Sequence, residues 1–562
     1  MKNLEHHFDF CVIGGGMSGL CAAVAAARKG IKTAIIQDRP VFGGNASSEI
    51  RMWICGAHEK DNRETGIIEE VMLENYYINP GYKYPLWDAV LHEAAMLEPN
   101  LKMFLNCTCI DAKVENDTII NVKGWQLTTE TFHTVNAKFF ADCSGDSILA
   151  PLTGAEFMLG REAKSEFNER IPPDIADKKT MGMSCLIQFR ETPNKVEYIP
   201  PKWAYKYTSD DDLPDADHFL TTNFWWMEVG GCHDSIHDTE ELRDELLKIA
   251  FGVADHVKNY GDHGADNWEL EWVGFLPGKR ESRRYKAPYI IDQNHVESGG
   301  KTDDIVAYGG WTMDDHFPEG FYFRNGHPTL YHPAPSPWGI PFSSLYSVNI
   351  KNLLFAGRNI SATHAAMSSS RVMATCALMG QAIGTAVAQI VPENKQIADI
   401  DIPKLQQALM FDDCFIPWST REVSVLTKKA TVNNEIIRNG TDRGEENLWV
   451  GKPGETLKYE FDTPEKISGI RLIFDSDLNR GYQNMPCSYP LVQTSFKMPP
   501  TVIKGYKIIL TGANGETEEI TVNDNRQRFV LHNVDKTIKS AEFIPENTHG
   551  HDKFNVFSFE LY

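Results

Sequence analysis

The stretch Asp9-Phe-Cys-Val-Ile-Gly-Gly-Gly-Met-Ser-Gly-Leu20 decides the fold. Apolar residues lead into Gly14-Gly15-Gly16-Met17-Ser18-Gly19, a match to G-x-G-x-x-G, and an alanine-rich helical run follows from Cys21 to Lys29. Gly30 caps that helix, and Thr33-Ala-Ile-Ile36 reads as a second apolar strand. Strand, glycine turn, helix, strand is the context in which the motif marks a dinucleotide site. Gly14 permits the tight turn, Gly16 lets a pyrophosphate approach the backbone, and Gly19 lets helix and strand pack closely. The helix, opening at Met17 and Ser18, turns unpaired N–H groups and its positive dipole end toward the phosphates. A glycine turn in an ordinary βαβ unit does not call for three glycines at this spacing.

The chain has 562 residues, enough for two to four domains. Its formal net charge of −22 argues against nucleic acid and anionic membrane surfaces as partners. No run of about 18 apolar residues stands out, so no membrane-spanning helix is expected. Met1 to His7 leaves no room for a secretory apolar region, so the expected location is cytoplasmic, with His6 and His7 inert. Eleven cysteines include no C-x-x-C pair, which excludes the usual spacing of a redox disulfide or a zinc ribbon. Cys107 and Cys109 share one face of a strand and read as buried thiols. His549, His551 and Asp552 sit in one mixed polar loop, a poor ligand set, and no metal is expected.

Residues 1–150 alternate strand and helix, with Asn116-Asp117 as a hairpin turn. Residues 151–345 turn proline-rich and aromatic and read as an inserted substrate domain. The nucleotide-binding pattern returns over 346–395, with Leu353-Leu-Phe-Ala-Gly-Arg358 as a strand and a helix from Arg371 to Ile390. A linker, 396–425, leads to 426–562, where short strands follow one another without helices, the pattern of a jelly-roll sandwich.

Val12-Ile-Gly-Gly-Gly-Met-Ser-Gly19, Phe42-Gly-Gly-Asn45, Ala141-Asp-Cys-Ser-Gly-Asp146 and Asn352-Leu-Leu-Phe-Ala-Gly-Arg-Asn-Ile-Ser-Ala-Thr-His364 together resemble the bacterial FAD-dependent oxidoreductases. These share the flavin fold of glutathione reductase and fumarate reductase flavoproteins. Leu276-Pro-Gly-Lys-Arg-Glu-Ser-Arg-Arg284 and Gly339-Ile-Pro-Phe-Ser-Ser-Leu-Tyr346 are similar to further signatures of that branch. The tail resembles a galactose-binding sandwich. The expected fold class is therefore α/β: a Rossmann-type FAD-binding domain with an inserted α+β substrate domain, plus a C-terminal all-β jelly-roll sandwich.

The resemblance implies FAD as cofactor and assigns its contacts. Gln37 stands where such flavoproteins usually carry a ribose-binding Glu, and either Gln37 or the following Asp38 takes that role, with Arg39 beside them. Gly43, Gly44 and Asn45 border the ribityl and pyrophosphate, and Cys109 falls where backbone atoms read adenine. Ser144, Gly145 and Asp146 form the third contact, and Gly357, Arg358, Arg371 and Val372 lie by the flavin ring. No second G-x-G-x-x-G marks a separate nicotinamide domain, so the electron acceptor stays open.

For chemistry at the ring, His364 is the candidate general acid/base; it is equally a loop histidine bonded to backbone. Arg371 and Arg51 are candidates to hold substrate or reduced flavin, and Arg280-Glu-Ser-Arg-Arg284 reads either as an anion clamp or as an exposed charge run. Trp225, Trp226 and Trp311 read as a sugar platform or as core. The expected activity is hydride transfer between flavin N5 and a small polar molecule, with carbohydrate derivatives in view. Two alternatives stand beside it: flavin-dependent reduction of an activated C=C, and a carbohydrate-binding protein with a structural flavin.

Overall fold

Short strands that are apolar at every position suit a sheet covered on both faces, and Phe10–Ile13 and Thr33–Ile36 are buried throughout. In the computed structural model they pair in parallel at the centre of a five-stranded sheet. Its order is Leu353–Phe355, Phe139–Asp142, Phe10–Ile13, Thr33–Ile36 and Leu101–Phe104, all parallel. This is the expected Rossmann-type arrangement, with the returning strand added beside Phe139–Asp142. Residues 1–481, 484–492 and 495–562 are described.

Helix Met17–Arg28 follows the glycine turn, and Gly30 ends it with a φ of 85°. Against it packs Met373–Ile390, and the approach is close because two glycines face it. A Cβ on Gly380 would lie 2.0 Å from the Ser18 carbonyl oxygen, and one on Gly384 would lie 2.2 Å from that of Ala22. Gly380→Val should therefore force the helices apart and lower stability by about 1–3 kcal/mol, read as a drop in the urea midpoint with an unchanged slope. Met373–Ile390 is also long and apolar enough to cross a membrane by composition, which the search for an unbroken apolar run passed over; 83% of it is buried inside the protein.

The chain divides into two compact units. One comprises Met1–Ala57, Tyr82–Leu405 and residues 484–492; the other comprises His58–Gly81, Gln406–Gly481 and Ser495–Tyr562. The linear order expected from sequence is thus interleaved: helix Ile67–Ile78 goes with the second unit, and a piece of the tail goes with the first. In the first unit, Lys2–His7 is a strand parallel to Thr131–Asn136, and His6 Nε2 lies 3.0 Å from His133 Nδ1, so His6 is part of the fold rather than a loose leader. The hairpin turn falls at Asn116 and Asp117, both at positive φ. Residues 151–345 build several two- and three-stranded sheets around helix Thr239–Asn259, whose buried face packs on Phe189, Trp226 and Phe321.

In the second unit a seven-stranded antiparallel sheet is dominated by two long strands, Leu457–Phe474 and Phe529–Thr548. Sequence suggested separate short strands there. Instead the register shifts between Glu460 and Glu465 and between Ile467 and Gly469, and such irregularities bend a strand without ending it. One hydrophobic cluster collects Tyr459 and Phe461 from one side of the breaks and Leu472 and Phe474 from the other. Glu69 of helix Ile67–Ile78 is buried in this unit against Arg480, 2.6 Å away.

Candidate functional site

The carboxyl ends of the parallel strands open into a cavity of about 490 Å³, the place where such sheets bind ligands. Gly14, Gly15, Gly16, Met17 and Ser18 form part of its wall, and the helix they open has no side-chain cap, so its first N–H groups are left for a ligand. The glycines differ in what they do. A Cβ on Gly14 would meet the Cys143 carbonyl oxygen at 2.5 Å and one on Gly19 would meet that of Gly14 at 1.9 Å, whereas one on Gly16 meets nothing nearer than Gly44 Cα at 3.9 Å. Gly19 is consequently a packing residue below the cavity. Gly16 leaves the open cradle.

At the end of the second strand, Gln37, Asp38 and Arg39 all line the cavity. Gln37 is spent on the turn: its Oε1 accepts from Gly15 N at 2.7 Å, and its Nε2 donates to Val41 O at 3.1 Å. Asp38 beside it is exposed, with Arg39 Nε 3.8 Å from its carboxylate. Gly43, Gly44 and Asn45 border the cavity's middle, and Cys107, Thr108 and Cys109 its other side. Burial pushes the Cys109 thiol up to about 12, so it is a protonated wall atom.

Ser144, Gly145 and Asp146 follow strand Phe139–Asp142, and Gly357 and Arg358 follow the returning strand Leu353–Phe355. Arg358 lies over Gly145 and pairs with Asp146 at 2.9 Å, as does Lys279. Burial alone would raise the Asp146 pKa, but these two cations outweigh it and hold it down to about 2.

Arg371, Met373 and Cys376 bring the start of the return helix to the wall; Val372 does not face the cavity. Arg280 faces it too, but the charge run it belongs to is split. Arg284 is fully buried against Glu162 at 3.0 Å, and Arg283 reaches the Asp146 carbonyl, so the expected clamp reduces to one arginine. Behind the wall, Arg371 pairs with Asp314 at 3.0 Å and Arg280 with Glu228 at 3.3 Å. His316 bridges the two carboxylates, 2.6 Å from Glu228 and 3.2 Å from Asp314. Burial disfavours its charge, but the flanking carboxylates prevail and raise its pKa. Sequence reasoning missed this chain. The signal was Asp314-Asp315-His316 on one strand, where residues two apart share a face.

Two expected residues lie elsewhere. Arg51 is stacked between Tyr84 and Trp272, 4.4 and 4.3 Å from the ring centres, and donates to Gln188 at 2.7 Å; cation–π contacts and that bond keep it out of the cavity. His364 is neither a loop residue nor on the wall. It begins a short helix, His364–Ser370, capped by Thr363, and is sealed between Glu281 at 2.8 Å and Asp315 at 3.1 Å. Burial would lower its pKa, yet Glu281 and Asp315 carry it up to about 10. A base must arrive unprotonated, so His364 is unsuited to take a substrate proton at neutral pH. Trp226 is core, and Trp225 supports the wall through its carbonyl, which accepts from Arg280 at 2.8 Å. His549 and His551 bond to backbone carbonyls of Asn525 and Lys553.

An uncapped helix start, an open glycine cradle and a buried Arg358 Nε without a hydrogen-bond partner fit a long anionic dinucleotide. Residues 9–409, most of the chain, match the family model for FAD-dependent oxidoreductases. The chain belongs to that family. FAD is its cofactor, and this flavoenzyme is an oxidoreductase. It is 51% identical over 43 residues to a soluble pyridine nucleotide transhydrogenase of Marinobacter nauticus, 8% of this chain and 9% of that one. It is 34% identical over 67 residues to a glycerol-3-phosphate dehydrogenase of Mycobacterium leprae, 12% of each. The chain thus spans about a tenth of the curated relatives it matches. Among solved structures, the flavin-dependent brominase Bmp2 aligns over 72% of this flavoenzyme and 84% of its own chain, at 10% identity and a TM-score of 0.35. A family 32 carbohydrate-binding module from Streptococcus pneumoniae EndoD aligns over 24% and 94%, at 14% identity and a TM-score of 0.18.

Proposed function

We propose that the enzyme transfers a hydride between flavin N5 and a small polar substrate whose acidic or oxyanionic group is held by Arg280 and Arg371. The observation that carries this reading is that both guanidinium groups face one cavity while each is paired with a carboxylate, Arg280 with the buried Glu228 and Arg371 with the half-buried Asp314. Bound flavin supplies the two-electron chemistry. The chain's own residues orient the substrate. With His316 protonated, the row Arg371, Asp314, His316, Glu228 and Arg280 leaves one net positive charge, which attracts an anion and stabilises an oxyanion as it develops. Fixed forks of this kind suit carboxylate oxygens better than neutral hydroxyls. A sugar substrate is accommodated best as a sugar acid.

Anaerobic flavin bleaching against hydroxy acids, sugar acids, neutral sugars and enoates tests the proposal. Acidic members should bleach and neutral sugars should not; the reverse pattern would sink it. Arg280→Gln and Arg371→Gln should each retain flavin but lose about 10²–10³-fold in kcat/KM. The alternative direction, reduction of an activated C=C, draws support from Arg371, which is linked through Asp314 to the proton-holding His316. Enoate-dependent oxidation of a reduced dye would establish it. Membership of an oxidoreductase family sets aside a carbohydrate-binding protein with an idle flavin. A cytoplasmic location is supported by eleven cysteines that are all free thiols.

A further inference from the structure

We propose that Asp210, His218, His256 and His263 bind one divalent transition-metal ion of the zinc class, which pins a loop of the inserted domain to the end of its long helix. The four side chains come from four places. Asp210 begins a short turn capped by Ser209, His218 lies on the loop beyond it, His256 sits near the end of helix Thr239–Asn259, and His263 follows that helix. Their ligand atoms all lie within 4.8 Å of one another.

Four of the six distances between ligand atoms are close to those of a tetrahedron. Zinc bonds of about 2.0–2.2 Å place neighbouring ligand atoms about 3.3 Å apart. Asp210 Oδ1 is 2.8 Å from His256 Nε2, 3.5 Å from His263 Nε2 and 3.6 Å from His218 Nδ1, and the His256 and His263 Nε2 atoms are 3.1 Å apart. Hydrogen bonding places one proton as well. His256 is fully buried, and its Nδ1 faces the Tyr207 carbonyl at 3.3 Å, the partner that metal-bound histidines use for their outer N–H. With that proton on Nδ1, the Nε2 of a neutral His256 would set its lone pair against the Asp210 carboxylate at 2.8 Å and a second histidine nitrogen at 3.1 Å. A cation accepting all the converging lone pairs resolves the conflict. Three nitrogens and one oxygen suit zinc and its neighbours and exclude calcium and magnesium, which take oxygen. Four protein ligands leave no open position, so the role is structural. None of the four lines the flavin cavity, although Thr239, the first residue of the anchored helix, does.

The flavin-loaded enzyme, stripped with EDTA and dialysed, should take up one Zn²⁺ per chain in a calorimetric titration and melt at a higher temperature afterwards. Co²⁺ in its place should give the intense visible bands of a tetrahedral site. His256→Ala puts a cavity in the helix and risks misfolding, so the working variants are Asp210→Asn, at an exposed position, and His263→Gln, at a half-buried one outside the helix. Each should keep its flavin, bind Zn²⁺ at least ~100-fold more weakly and lose the metal-induced rise in melting temperature. Zinc uptake by the variants equal to wild type, no uptake by wild type, or a pale octahedral Co²⁺ spectrum would each overturn the assignment.

Discussion

Gly16→Val should give a folded, colourless protein. The backbone at Gly16 is extended, φ −65° and ψ −178°, a conformation any residue adopts, and an added Cβ finds only Gly44 Cα at 3.9 Å. The new side chain therefore costs the fold little and occupies the cradle where the pyrophosphate belongs. Gly19→Val is the control with the opposite outcome, since its Cβ would lie 1.9 Å from the Gly14 carbonyl oxygen and so breaks the turn itself. The measurements are the flavin absorbance of the purified protein, its far-ultraviolet circular dichroism and a thermal melt compared with flavin-stripped wild type. Gly16→Val should match the stripped protein in the last two and lack the yellow band, a complete loss of activity without loss of structure. Stoichiometric flavin in that variant would falsify the placement of the phosphates.

What sequence revealed, and what it did not, follows from the range of the interactions. The glycine turn, the apolar strands and the Asn116-Asp117 turn were legible because a few adjacent residues dictate each of them. The electrostatics were not. His364 meets Glu281 and Asp315, 83 and 49 positions away, and no local pattern announces such a pairing. Helix His364–Ser370 was hidden for a related reason: serines favour caps and turns, and only burial of every residue in it makes the segment helical. The run Arg280 to Arg284 read as a clamp or an exposed charge run, yet Arg280–Arg283 lie between two short strands, and distant partners turn Arg284 inward to Glu162 and Arg283 to the Asp146 carbonyl, so only Arg280 serves the cavity. Helix Ile67–Ile78 belongs to the alternating strand and helix read over residues 1–150, but the identity of the unit it joins is a long-range fact that its own pattern does not carry.

His364→Ala should be among the most destabilising single changes in the first unit, by about 3–5 kcal/mol, because it leaves Glu281 and Asp315 without the cation between them. Arg284 remains beside Glu281 at 3.4 Å and cannot reach both. The pH dependence separates this role from a catalytic one. His364 has its pKa raised from 6.5 to about 10 in the folded protein, so the folded state binds the extra proton. Its contribution is complete below pH 6.5 and is lost as pH rises through about 10. Wild-type urea midpoints should accordingly fall between pH 7 and pH 10, and His364→Gln should flatten that decline. Turnover tells the rest. At a temperature where both proteins are folded, His364→Gln should keep its flavin and every limb of the wild-type kcat profile against pH, because the imidazole is walled off from the cavity. Loss of any limb of that profile would return the proton transfer to His364.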